Sequence, residues 1–96
     1  MAYGGFGGGN MQQLMKQAQA MQRKLQEAQQ ELADSEVTGS AAGGMVEVTL
    51  TGDKTPVSVS IKPEAVDPDD VEMLEDMVLA ALNDAMKQAD DFSKEL

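Results

Sequence analysis

The sequence predicts an α+β fold of order α-β-β-β-α, a three-stranded antiparallel meander flanked by two long helices. Three observations predict it. The first third carries an unbroken heptad of apolar residues. The middle third alternates apolar and polar residues between glycine turns, and the last third returns to helical spacing behind a proline and several aspartates.

The opening residues, MAYGGFGGG, hold five glycines and read as a flexible tail over 1–9. The single folded domain is expected over 10–96. Asn10 is a good helix cap. From there Met11, Leu14, Ala18, Met21, Leu25, Ala28 and Leu32 step by three and four residues, the spacing of a helical seam. The interior has no glycine, proline or β-branched residue, so the spacing predicts a helix over 10–34.

Strands are expected at about 35–40, 45–52 and 56–62. Val46, Val48 and Leu50 point to one face of the second, and Val57, Val59 and Ile61 face in from the third. Gly43-Gly44 and Gly52-Asp53-Lys54 supply the turns, and Pro56 opens the last strand. A second helix is expected over 68–92, with Asp67 as its cap and Pro68 in its first position. Its apolar stripe includes Val71, Leu74, Val78, Ala81, Leu82, Ala85, Ala89 and Phe92.

A meander of this size seats one helix comfortably and not the full length of two. The first helix should overhang the sheet and expose its seam, which predicts a homodimer. Met11, Leu14, Ala18, Met21 and Leu25 are the expected dimer seam.

Composition narrows the function. The chain has no cysteine and no histidine, so disulfides, thiolate metal sites and the usual neutral-pH base are excluded. No apolar window is long enough to span a membrane, and the N-terminus does not read as a secretory signal. A cytoplasmic protein without metal, cofactor or small-molecule substrate is expected. The glycines at 4–9 lack dinucleotide-fingerprint spacing. Gly39 and Gly44 have P-loop spacing, but Met45 stands where the lysine belongs, which reads as a turn between strands. Asp67, Asp69 and Asp70 lack the glycine of a calcium loop and read as helix capping. Glu75, Asp76 and Asp84 have no nucleophile or base beside them and read as a solvated face. Met11, Met15, Met21, Met73, Met77 and Met86 suit a peptide groove, but also a core and dimer seam. No constellation supports an enzyme.

The net charge of −10 is uneven. Residues 1–33 set Lys16, Arg23 and Lys24 against Glu27 and Glu31, a balance of +1. Residues 67–96 set Lys87 and Lys94 against ten acids, a balance of −8. With Met11 at heptad position a, Lys16 and Arg23 both fall at f, opposite the seam, and Lys24 lies beside them at g. Such a stripe, flanked by glutamines, would serve a phosphate backbone; the same spacing also suits an ordinary solvated helix face. The acidic last third suits a protein–protein adaptor holding a basic partner.

Several segments resemble the YbaB/EbfC family of bacterial nucleoid-associated proteins. They are Met15-Lys16-Gln17-Ala18-Gln19 with Met21-Gln22, Glu36-Val37-Thr38-Gly39, Ala42-Gly43-Gly44-Met45-Val46, Val48-Thr49-Leu50-Thr51-Gly52, Met73-Leu74-Glu75-Asp76-Met77-Val78 and Ala81-Leu82-Asn83-Asp84-Ala85. Together they cover about residues 10–90, in order. The resemblance implies a tweezer-like homodimer that binds double-stranded DNA with low sequence specificity. It implies altered DNA conformation and a role in nucleoid organisation, gene regulation or DNA protection. It carries DNA contacts to Lys16, Arg23 and Lys24. Family members often carry further basic residues before the third strand and late in the last helix. Here those places hold Lys54-Thr55-Pro56 and Lys87-Gln88-Ala89-Asp90-Asp91.

Overall fold

The computed structural model describes the backbone of residues 2–96 and the side chains of residues 10–96. Its order is α1 (Ala2–Asp34), β1 (Glu36–Ala41), β2 (Val46–Thr51), β3 (Pro56–Ile61) and α2 (Val71–Lys94). Short 3-10 turns at Ala42–Gly44 and Pro63–Ala65 join the elements. The strands form one antiparallel sheet in the order β1-β2-β3, so the expected α-β-β-β-α fold is present.

Alternation along β2 builds the core. Val46, Val48 and Leu50 are buried on one face, while Glu47, Thr49 and Thr51 turn to the other. Helix α2 covers the apolar face through a stripe of small residues, Ala81, Ala85 and Ala89, all fully buried. Ala65 closes the cluster, with Val37, Ala41, Leu74, Met77 and Val78 packed around it. On the opposite face the hydroxyls of Thr38 and Thr49 meet across the strands at 3.1 Å.

Gly39 sets how closely α2 approaches. It lies inside β1, not in a turn, and is paired with Val48. A Cβ added there would collide with the backbone of Ala81 and Ala85. The helix backbone therefore rests directly on β1. Asp84 and Gln88 complete the contact: the Ser40 N–H donates to Asp84 Oδ2 at 3.0 Å, and Gln88 Nε2 donates to the Thr38 carbonyl at 2.8 Å.

This placement leaves β3 uncovered, against the expectation that its apolar residues are enclosed. Val59 pairs with Val48 and Ile61 with Val46, so they do share the core face. Yet Val57 is 50% exposed, Val59 57% and Ile61 39%, because α2 lies over β1 and β2.

The start of α2 also differs from expectation. Asp67 does not cap it; its carboxylate accepts from the Asp69 N–H at 2.9 Å and closes a turn through Pro68. Asp70 is the cap, accepting from the Met73 N–H at 3.2 Å. The helix begins at Val71, after Pro68, and runs to Lys94. In the β2–β3 hairpin, Lys54 takes the left-handed backbone (φ 71°), while Gly52 meets α1.

Helix α1 begins at Ala2, earlier than the expected residue 10, so Asn10 lies within it. Glycine weakens a helix by about 1 kcal/mol per residue against alanine but does not bar it, and no proline interrupts the segment. The expectation of a flexible tail over 1–9 falls outside the described side chains. Only the last turns of α1 touch the body. Ala28 and Leu32 are partly covered, and the Gly52 N–H donates to the Ser35 carbonyl at 2.9 Å. Gly52 is buried here because a Cβ would lie 2.8 Å from the Leu32 carbonyl oxygen. The rest of α1 projects from the end of the sheet, giving a body of 84 × 18 × 16 Å. The overhang is far longer than the turn or so that sheet width alone suggests.

Gly39→Ala should cost about 2 kcal/mol, since a methyl group is forced against helix backbone that cannot rotate aside. Thermal unfolding followed by circular dichroism should show Tm falling by roughly 10 °C, and an unchanged Tm would mean that α2 stands further from β1.

The hairpin end carries two acids held below the usual carboxylate value of 3.8. Asp53 is lowered by hydrogen bonds from Thr51 and Thr55, and Asp90 by its hydrogen bond and ion pair with Lys54. Because the folded values lie below the unfolded ones, their stabilisation is present above about pH 4 and is lost as pH falls through the folded values. Tm should decline from about pH 5 to about pH 3. Asp90→Asn should decline less over that range; equal slopes would exclude Asp90 as a contributor.

Candidate nucleic-acid interface

The heptad of α1 separates two faces. Met11, Leu14, Met21 and Leu25 are 59–66% exposed, and Ala18 between them is exposed too. The intramolecular fold thus covers none of the expected seam, and only its continuation at Ala28 and Leu32 reaches the body. Opposite the seam lie Lys16 and Arg23, seven residues and about 10 Å apart along the axis, with Lys24 beside Arg23.

All three cations are exposed, and none is in an ion pair or side-chain hydrogen bond among the described residues. Other polar groups nearby are engaged. Gln30, which continues the row of Lys16 and Arg23, donates to both carboxylate oxygens of Asp34 at 3.1 and 3.2 Å. Lys54, the cation before β3, is paired with Asp90 of α2. That pair joins residues far apart in sequence, and no local signal announces it. The structure therefore leaves α1 with the unpaired cations and takes Lys54 out of contention.

Position along the molecule decides how strongly the acidic body opposes an anionic ligand. Lys16 lies sixteen residues from Leu32, about 24 Å along the helix, and Arg23 about 13 Å. Both distances exceed the Debye length of about 8 Å at physiological salt. The acids of the chain's own α2 are thus largely screened from the outer part of α1. An extended helix with spaced cations can lie along or across a duplex and pair with phosphate oxygens.

The chemistry available elsewhere is limited. Among the described residues no group of three or more acids, cysteines or histidines is placed to hold a metal ion. No helix is long and apolar enough to cross a membrane. A shallow groove of about 460 Å³ lies beside α2, lined by Ile61, Leu74, Glu75, Val78, Leu79 and Leu82. Sequence spacing missed it, because it exists only where α2 stops short of β3.

Comparison with known proteins agrees with this architecture. Residues 7–96 match the model of the YbaB/EbfC DNA-binding family. A nucleoid-associated protein of Agathobacter rectalis is 55% identical over 94 residues, covering 95% of this chain and 83% of the relative. One from Acetivibrio thermocellus is 54% identical over 93 residues, covering 95% and 82%. The crystal structure of an uncharacterized protein from Helicobacter pylori superposes with a TM-score of 0.76 at 25% identity, covering 88% of each chain. With its family match spanning nearly the whole sequence, the chain belongs to the YbaB/EbfC DNA-binding family.

Proposed function

We propose that this chain is a nucleoid-associated protein that binds double-stranded DNA as a homodimer, without catalytic activity. The observation that carries the reading is the two-sided character of α1. One side holds Lys16, Arg23 and Lys24, exposed and unpaired among the described residues; the other holds an uncovered apolar seam. Family membership and the names of the relatives support DNA as the ligand. The seam of Met11, Leu14, Ala18, Met21 and Leu25 supports a second copy, since an isolated, solvated helix of this length is marginal in water.

Contacts of this kind read phosphates, not base edges, so sequence specificity is low. Two copies present six helix cations, enough to hold separated stretches of duplex and alter its path. That suits nucleoid organisation, gene regulation and DNA protection, in the cytoplasm at the nucleoid.

Changing Lys16, Arg23 and Lys24 together to alanine should weaken duplex binding at least tenfold, equally on unrelated sequences, in an anisotropy titration. For the unaltered protein the slope of log K against log salt should be no steeper than about −5, the value for six phosphate contacts. Below about 0.05 M salt the Debye length grows towards 30 Å and the acidic body reaches the stripe, so the slope should flatten. Binding untouched by the triple change would overturn the site assignment.

The −8 balance of residues 67–96 favours a second reading, an adaptor that holds a basic protein on α2. It predicts no duplex binding at physiological salt and salt-sensitive capture of a cationic protein.

A further inference from the structure

The two edges of the sheet are treated differently. In β1 the Ser40 N–H and the Thr38 carbonyl point away from β2, and both are satisfied by α2: Ser40 by Asp84 and Thr38 by Gln88. That edge is closed to another strand. In β3 the Lys62 N–H at its end donates inward, to the Met45 carbonyl, at 2.9 Å. Backbone groups alternate along a strand, so those of Val57, Val59 and Ile61 point outward. Among the described residues no side chain caps them. All six residues of β3 are exposed, and only Pro56 blunts the edge.

The side chains of the same three residues continue into the groove of Leu74, Val78, Leu79 and Leu82. An open backbone edge and an uncovered apolar strip thus coincide on one strand. Such an edge, left bare, invites pairing with another chain.

We propose that the open edge of β3 receives the β3 of a second copy, antiparallel, joining two three-stranded sheets into one of six strands. This rests on the homodimer reading and names a surface for it beyond the α1 seam. Self-pairing fits because antiparallel pairing about a two-fold axis is isologous: each copy offers the same outward groups and the same valines. The two-fold axis stands perpendicular to the sheet, so both α2 helices stay on one face. The α1 helices leave from opposite ends, each passing the first turns of the other copy's α2. Those turns expose Val71 and Leu79 and carry Glu72, Glu75 and Asp76, which complement the seam and the cations of α1.

The chain has no cysteine, so single introduced cysteines report contacts cleanly. Ser58→Cys and Val59→Cys sit at the middle of β3, where the two-fold axis falls. Thr38→Cys, on the closed edge, is the control. Under mild oxidation, at least one β3 variant should convert mostly to a disulfide-linked dimer on a non-reducing gel, while Thr38→Cys stays at single mass. Circular dichroism of each variant verifies folding, and light scattering of the unaltered chain gives its mass. A dimeric chain whose β3 cysteines cross-link no more than Thr38→Cys overturns the β3 assignment and leaves the dimer standing on α1. A monomeric unaltered chain overturns both. Cross-linking of β3 to a different protein, with no self-linking in the purified chain, makes that protein the occupant and overturns the proposal.

Discussion

The backbone contact between Gly39 and the small residues Ala81 and Ala85 decides where α2 lies, and the remaining surfaces follow from it. A helix that rests on β1 with no side chain between is drawn to one edge of the sheet. There Asp84 and Gln88 reach the outward groups of β1. The cost of that placement is a bare β3 at the other edge. A larger residue at position 39 would force α2 away from β1. The burial of Val46, Val48 and Leu50, the closed edge and the open groove all depend on this approach.

Helix α1 is the second consequence. With α2 holding the apolar face, no room is left on the sheet for another helix, and α1 joins the body only through Ala28, Leu32 and the Gly52 contact. Such a helix gains little from its own chain. Its exposed seam makes sense as a surface for a second copy, and its projection carries the cations away from an acidic body. Charge separation along the molecule lets a protein of net charge −10 offer a local site for an anion.

Much of this was legible in the residues. The heptad from Met11 to Leu32 announced α1, and the alternation of Val46, Val48 and Leu50 located β2 to within a residue. The opposition of Lys16 and Arg23 to the seam also follows from spacing alone. Other features depend on long-range placement. Asp67 and Asp70 have the same capping chemistry, and only the turn closed through Asp69 shows which one caps α2. Val57 and Val59 alternate as core residues do, but α2 does not reach them. The Lys54–Asp90 pair, which removes a cation from the candidate site, joins a turn to the far end of α2. A signal for the helix position was present: a glycine inside a strand, with alanines spaced by four on a helix.

The central claim is that α1 is held by a second copy on one side and by DNA on the other. Hydrogen exchange resolved along the chain, with and without a DNA duplex, tests it most directly. The account predicts that amides of α1 from Met11 to Leu32 are protected in the free protein alongside those of β2 and α2. They should slow further on adding DNA, most around Lys16 and Arg23. Exchange of α1 at the rate of an isolated helix, unchanged by DNA while β2 and α2 stay protected, would contradict it.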